Sequence, residues 1–132
     1  MDENIDMGQI IDRIEIEKYF TDTSETLYKR ILLAEIYLLE KNIVSILNKN
    51  FTPFSFENEG NIFFKKDFKT ICKLNLDENG SFLNFYNRLR ALSHGNYKNA
   101  YFINPENGKK VYIKIEINEE ADDNLSKKGS IK

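Results

Sequence analysis

The feature that most constrains this chain is the segment after Asp22-Thr23-Ser24-Glu25. Asp22 is placed to cap the free amides of a helix start. Glu25, three residues on, completes a capping-box spacing and faces the positive end of the dipole. Beyond it Leu27, Ile31, Ala34 and Leu38 trace one apolar stripe, while Leu32, Ile36, Leu39, Ile43, Ile46 and Leu47 trace a neighbouring one at spacings of three and four. This pattern predicts a helix of about 25 residues. It should end near Asn48-Lys49-Asn50, because Pro53 forbids continuation. A stripe that wide needs more than one neighbour, so the helix is expected to be central or to lie in an oligomer interface, and a homodimer is the expected assembly.

Around it the chain reads as one globular domain over residues 9–118, with loose, charged ends at 1–8 and 119–132. From Gln9 to Phe20 the apolar positions fit a short helix slightly better than a strand, although Ile14-Glu15-Ile16 alternates. The five phenylalanines Phe51, Phe54, Phe56, Phe63 and Phe64 sit in a turn-rich stretch that is expected to fold back onto the body. A short helix is predicted over Lys66 to Leu74, with Phe68, Ile71, Cys72 and Leu74 inward and lysines outward. Another starts at Ser81 and runs to about His94, burying Phe82, Phe85, Tyr86, Leu89 and Leu92. After Asn99 the period changes to two. Residues 100–103, the turn Asn104-Pro105-Glu106-Asn107-Gly108 and the alternation Val111, Ile113, Ile115, Ile117 make a hairpin with one packed face. The fold class is therefore α+β, mainly helical: a long central helix, shorter helices packed on it, and a C-terminal β-hairpin.

Composition narrows the function. The single cysteine, Cys72, cannot form an internal disulfide, and no run approaches the roughly 20 apolar residues of a membrane span, so a cytoplasmic protein without membrane contact is expected. A net charge of -2 leaves no global attraction to nucleic acid. No carboxylate-histidine cluster suits a metal, and no cofactor is expected.

Acid-base chemistry has one place to assemble. The only histidine closes Arg88-Leu-Arg90-Ala-Leu-Ser-His94-Gly95, where Gly95 can take the left-handed conformation that ends a helix and His94 meets the negative end of the dipole, which favours imidazolium. Asn87, Arg90 and His94 fall within about 60° of one another on a helical wheel, beside the apolar face, whereas Arg88 points roughly 120° away from His94. Such a set suits cleavage of an RNA phosphodiester: histidine moves the proton and arginine stabilises charge on phosphorus. Catalytic candidates are His94, Arg88 and Arg90, with Asn87, Asn96 and Tyr97 as binding candidates.

The spacing Arg88-x5-His94 and the residues His94-Gly95-Asn96-Tyr97 resemble the HEPN superfamily of small, usually dimeric ribonucleases of toxin-antitoxin, phage-defence and CRISPR systems. The resemblance implies a metal-independent endoribonuclease whose Arg88 and His94 line a cleft across a dimer, with RNA as substrate and an antitoxin as partner. Leu89 stands where that family commonly has a polar residue, and the hairpin would be an addition to its helical core. Beside this stand three other readings: a helix-capping histidine with no reaction, a non-enzymatic adaptor or inhibitor from a mobile genetic element that binds protein through the hairpin edge and aromatic loop, and a nucleic-acid accessory protein using lysine patches.

Overall fold

A computed structural model describes residues 9–55 and 63–120. Three helices, α1 (Ser24–Leu47), α2 (Lys65–Cys72) and α3 (Phe82–Leu92), precede a two-stranded antiparallel sheet of β1 (Tyr101–Ile103) and β2 (Lys110–Tyr112). The mixed, mainly helical class is as the sequence predicts. The expected loose ends fall largely outside the described residues, as does Phe56.

The long helix starts one residue later than the capping pattern suggests. Thr23 is the N-cap, its hydroxyl accepts from the Thr26 amide, and Thr26 returns a bond to the Thr23 amide, which closes the box. Asp22 is thereby released for another task. Buried at the turn, it accepts from the Tyr19 amide at 2.7 Å and the Thr26 hydroxyl at 2.9 Å, and pairs with both terminal nitrogens of Arg30 two turns along α1. The helix ends as expected, with Asn48 as C-cap and Lys49 in the left-handed region at φ 54°.

Residues 9–20 contain no helix. Ile10 exchanges both backbone hydrogen bonds with Phe54, each 2.9 Å, and the segment runs along the far half of α1, where Asp12 pairs with Lys41 at 2.8 Å and accepts from Asn42. The extended backbone is fixed at Ile10, where a β-branched residue meets a partner that supplies its hydrogen bonds.

The core sits where α2, α3 and the hairpin meet. Cys72, Leu92 and Ala100 are buried, with Leu74, Leu89 and Tyr101 packed against them. Ser81 caps α3 through the Asn84 amide, as its position predicts. The helix stops at Leu92, short of His94, because the Ser93 hydroxyl turns back to the Leu89 carbonyl at 2.8 Å and accepts from the Ile115 amide at 3.0 Å. That one side chain ties the end of α3 to the chain leaving β2. The hairpin pairs Tyr101 with Tyr112 and Phe102 with Val111, and Gly108 supplies the positive φ of 70° that its turn requires. Exposure alternates residue by residue from Val111 to Asn118, as the period of two dictates.

Much of the expected burial does not occur within this chain. Along α1 the first stripe, Leu27, Ile31, Ala34 and Leu38, is half-buried. In the second, Leu32, Ile36, Leu39, Ile43 and Leu47 all remain exposed, and Leu47 keeps 75% of its surface. Phe82, expected inward on α3, is 83% exposed, and Phe51, Phe54, Phe63 and Phe64 do not fold back out of water. These residues have the right spacing for burial but, among the described residues, no neighbour that buries them.

Candidate functional site

The sequence directs attention to His94, and the fold brings it to the N-terminal turn of α1. Gly95, at φ 46°, reverses the chain after α3 and presents its amide to the Glu25 carboxylate at 3.0 Å. The Ser24 hydroxyl donates to the Ser93 carbonyl at 2.9 Å and lies 3.3 Å from His94 Nδ1. The imidazole lies between two tyrosines, Tyr28 with centroids 5.4 Å apart and Tyr97 at 5.7 Å. Lys114 closes the loop from the hairpin side by donating to the Gly95 carbonyl at 3.0 Å. Glu25 is held below the usual carboxylate range by its bond from Lys29 and then by the Gly95 amide. This junction fixes the start of α1 against the end of α3. Beside it lie a cleft of about 340 Å³, lined by Thr23, Thr26, Ser93 and Lys114 to Asn118, and a smaller one of about 210 Å³ between Gly95–Lys98 and Tyr112–Lys114.

The arginines do not converge there. Arg90 bonds Asn87 Oδ1 at 2.8 Å and the carbonyls of Tyr19 and Asp22, with its guanidinium beside the rings of Phe20 and Tyr86. Arg88 faces the other way, as the helical wheel implied. It donates to the carbonyls of Ile71 and Lys73 and pairs with Glu78 at 2.7 Å, which clamps α2 to α3. Asn96 and Tyr97 are exposed, and Tyr97 keeps 70% of its surface. Among the described residues no group of three histidine, cysteine or carboxylate side chains is placed to hold a metal, and no helix is long and apolar enough to cross a membrane. The partners of His94 that the sequence did not suggest are Ser24, Glu25 and Tyr28. All lie within the first five residues of a helix far away in the chain, and a capping pattern carries no information about which loop will dock on it.

Comparison with known proteins identifies what this arrangement is similar to. Residues 67–119, from α2 through the hairpin, match the family model described as N-formyltransferase dimerization C-terminal domain. Over 120 residues, 91% of the chain, it is 35% identical to the dTDP-4-amino-4,6-dideoxyglucose formyltransferase of Mycobacterium bovis, covering 51% of that protein. The crystal structure of a 4-N formyltransferase from Francisella tularensis superposes with a TM-score of 0.85 at 36% identity over 91% of this chain and 49% of that one. A sugar N-formyltransferase from a Shewanella species gives 0.83 at 36% identity, over 92% and 49%. The likeness is to sugar N-formyltransferases. The chain spans about half the length of the relatives that it matches.

These findings overturn the HEPN resemblance and what it implied. A pattern of one arginine and one histidine at fixed spacing is met by many helices, and here the arginine of that pattern holds α2 and not a cleft. The endoribonuclease function goes, with the toxin, phage-defence, RNA and antitoxin readings that hung on it, and so does the adaptor or inhibitor from a mobile genetic element.

Proposed function

We propose that this chain serves sugar N-formyl transfer as the part of the enzyme that joins two subunits, and that the enzyme acts on a nucleotide-linked 4-amino-4,6-dideoxy sugar. In that reaction the sugar amine attacks the formyl carbon of a donor, a C–N bond forms as the donor's bond to carbon breaks, and the amine gives up a proton. The observation that carries this reading is the 35% identity to the dTDP-4-amino-4,6-dideoxyglucose formyltransferase across 91% of the chain.

The unburied apolar surface of α1, outside the matched residues 67–119, offers a second face for pairing. Taking about 100° per residue, Leu32, Ile36, Leu39, Ile43 and Leu47 lie within about 80° of one another along α1. Burying a face of that kind is what a second copy supplies, since specific dimers bury about 800 Å² per partner with an apolar centre. The His94 junction has a positioning part in this reading: it sets the angle between α1 and α3 and so the shape that the two helices offer.

A chimera tests the proposal. When this chain replaces the half of the Mycobacterium bovis protein that it matches, the product is expected to be dimeric and to add one formyl group to dTDP-4-amino-4,6-dideoxyglucose, read by mass spectrometry of the sugar nucleotide. A folded chimera that stays monomeric, or a dimer that leaves the sugar unchanged, would contradict it.

A further inference from the structure

A further cavity lies apart from the exposed stripe of α1 and shares only Lys98 and Tyr112 with the smaller cleft beside the His94 junction. It has a volume of about 350 Å³ and opens between the end of α2 and one face of the hairpin, lined by Lys69, Lys98, Lys110, Tyr101, Tyr112 and Cys72 among others. The backbone explains why these groups meet. Tyr101 and Tyr112 are directly paired across the strands and so project from the same face, with ring centroids 5.9 Å apart. Lys110 lies two residues before Tyr112, hence on that face too, and its ammonium sits 4.2 Å from the Tyr101 ring. Lys98 Nζ stands 5.6 Å from the Tyr112 ring. Lys69 comes from the last turn of α2, which is locked to β1 by the bond from the Leu74 amide to the Tyr101 carbonyl at 2.7 Å.

The charge here is one-sided. No carboxylate lines the cavity, and among the described residues none of these three lysines makes an ion pair, in a chain with 21 acidic residues against 19 basic ones. Burial pushes the Cys72 thiol up, so it stays neutral at pH 7 and adds no negative charge. Lysines that line one cavity repel one another, and an anion shared between them relieves that repulsion. Two of them are held over tyrosine faces, which steadies their direction without neutralising them.

We infer that this cavity is a binding site for a diphosphate group, with Lys69, Lys98 and Lys110 donating to its oxygens and the two tyrosine rings forming the wall. A multiply charged oxyanion matches three point-charge donors better than a single carboxylate does. Free pyrophosphate and the diphosphate of a nucleotide share this chemistry. The cavity lies within residues 67–119 but shares no residue with the stripe of α1, and its test reads anion binding and not assembly, so either proposal can fail without the other.

Calorimetric titration of the 132-residue chain with inorganic pyrophosphate and, separately, with dTDP tests it. Pyrophosphate binding is expected, weakening as salt rises because the contacts are ionic and partly exposed. It should weaken about tenfold or more in the double variant Lys98→Gln, Lys110→Gln, while Lys18→Gln, outside the cavity, leaves it unchanged. An unaltered thermal midpoint in the double variant ties the loss to the site and not to the fold. Tighter binding of dTDP than of pyrophosphate, lost in the same double variant, supports a nucleotide as the source of the diphosphate; equal or weaker binding supports the free anion. Absence of heat with both probes, or equal affinity in the double variant, overturns the inference.

Discussion

Asp22 shows how much one residue decides here. It is buried at the mouth of α1, where the Arg30 guanidinium, together with bonds from the Tyr19 amide and the Thr26 hydroxyl, holds its carboxyl far below the usual range. Asp12, bonded by Lys41 and Asn42, is lowered to about 2. Both folded values lie beneath the unfolded value of about 3.9, so their contribution to stability is complete above that pH and is lost as the pH falls through the folded values. Urea unfolding as a function of pH should therefore show stability dropping from about pH 4 downward. Asp22→Asn should lower the plateau near neutrality and flatten the acid limb; a variant with the same acid slope as the natural chain would contradict the assignment. Asp22 is conspicuous in the sequence as a capping residue, yet its partner is not, because Arg30 reaches it only once α1 has formed and residues 19–22 have turned. The same limit applies to His94. The chain reversal at Gly95 is legible from local chemistry, whereas His94 falls beyond the end of α3 and its neighbours Ser24 and Tyr28, some 70 residues away in sequence, are set by tertiary packing.

At the scale of elements, what could be read was what local physics fixes. The long helix with its end at Asn48, the Ser81 cap, the left-handed Gly95 and the hairpin with its turn all follow from caps, φ preferences and period. Residues 9–20 are not helical as their apolar spacing suggests, because an extended segment depends on a partner outside it, here the backbone of Phe54 at Ile10. Gly108 gives this scale its test. At φ 70°, with open space where a side chain would begin, Gly108→Ala meets only backbone strain, so a cost of about 1 kcal/mol confined to the hairpin is expected. Hydrogen exchange should show faster opening of the amides of Asn104 and Ile113, which bond across the hairpin, while those of α1 are unaffected. A uniform change across the chain would contradict a local role for this turn.

For the whole molecule, the wide apolar stripe on α1 proved the most informative feature in the sequence. Its first row packs within the chain and its second, Ile46 apart, does not, which is the pattern expected of a helix that serves two neighbours. The likeness to sugar N-formyltransferases was not legible in the same way: it is spread across 120 residues at 35% identity, and the Arg88–His94 spacing points elsewhere. Because Ile36 and Leu39 are 55% and 57% exposed, replacing both with aspartate costs the isolated fold little and acts on association.

The absolute mass in solution, measured by light scattering on the purified chain and on the variant Ile36→Asp, Leu39→Asp, is the most direct test of subunit pairing. The account predicts twice the 15.5 kDa chain mass for the natural sequence and the single-chain mass for the variant, with the helical circular-dichroism signal retained. A natural chain that runs as a monomer at micromolar concentration, or a variant that remains a dimer, would contradict it.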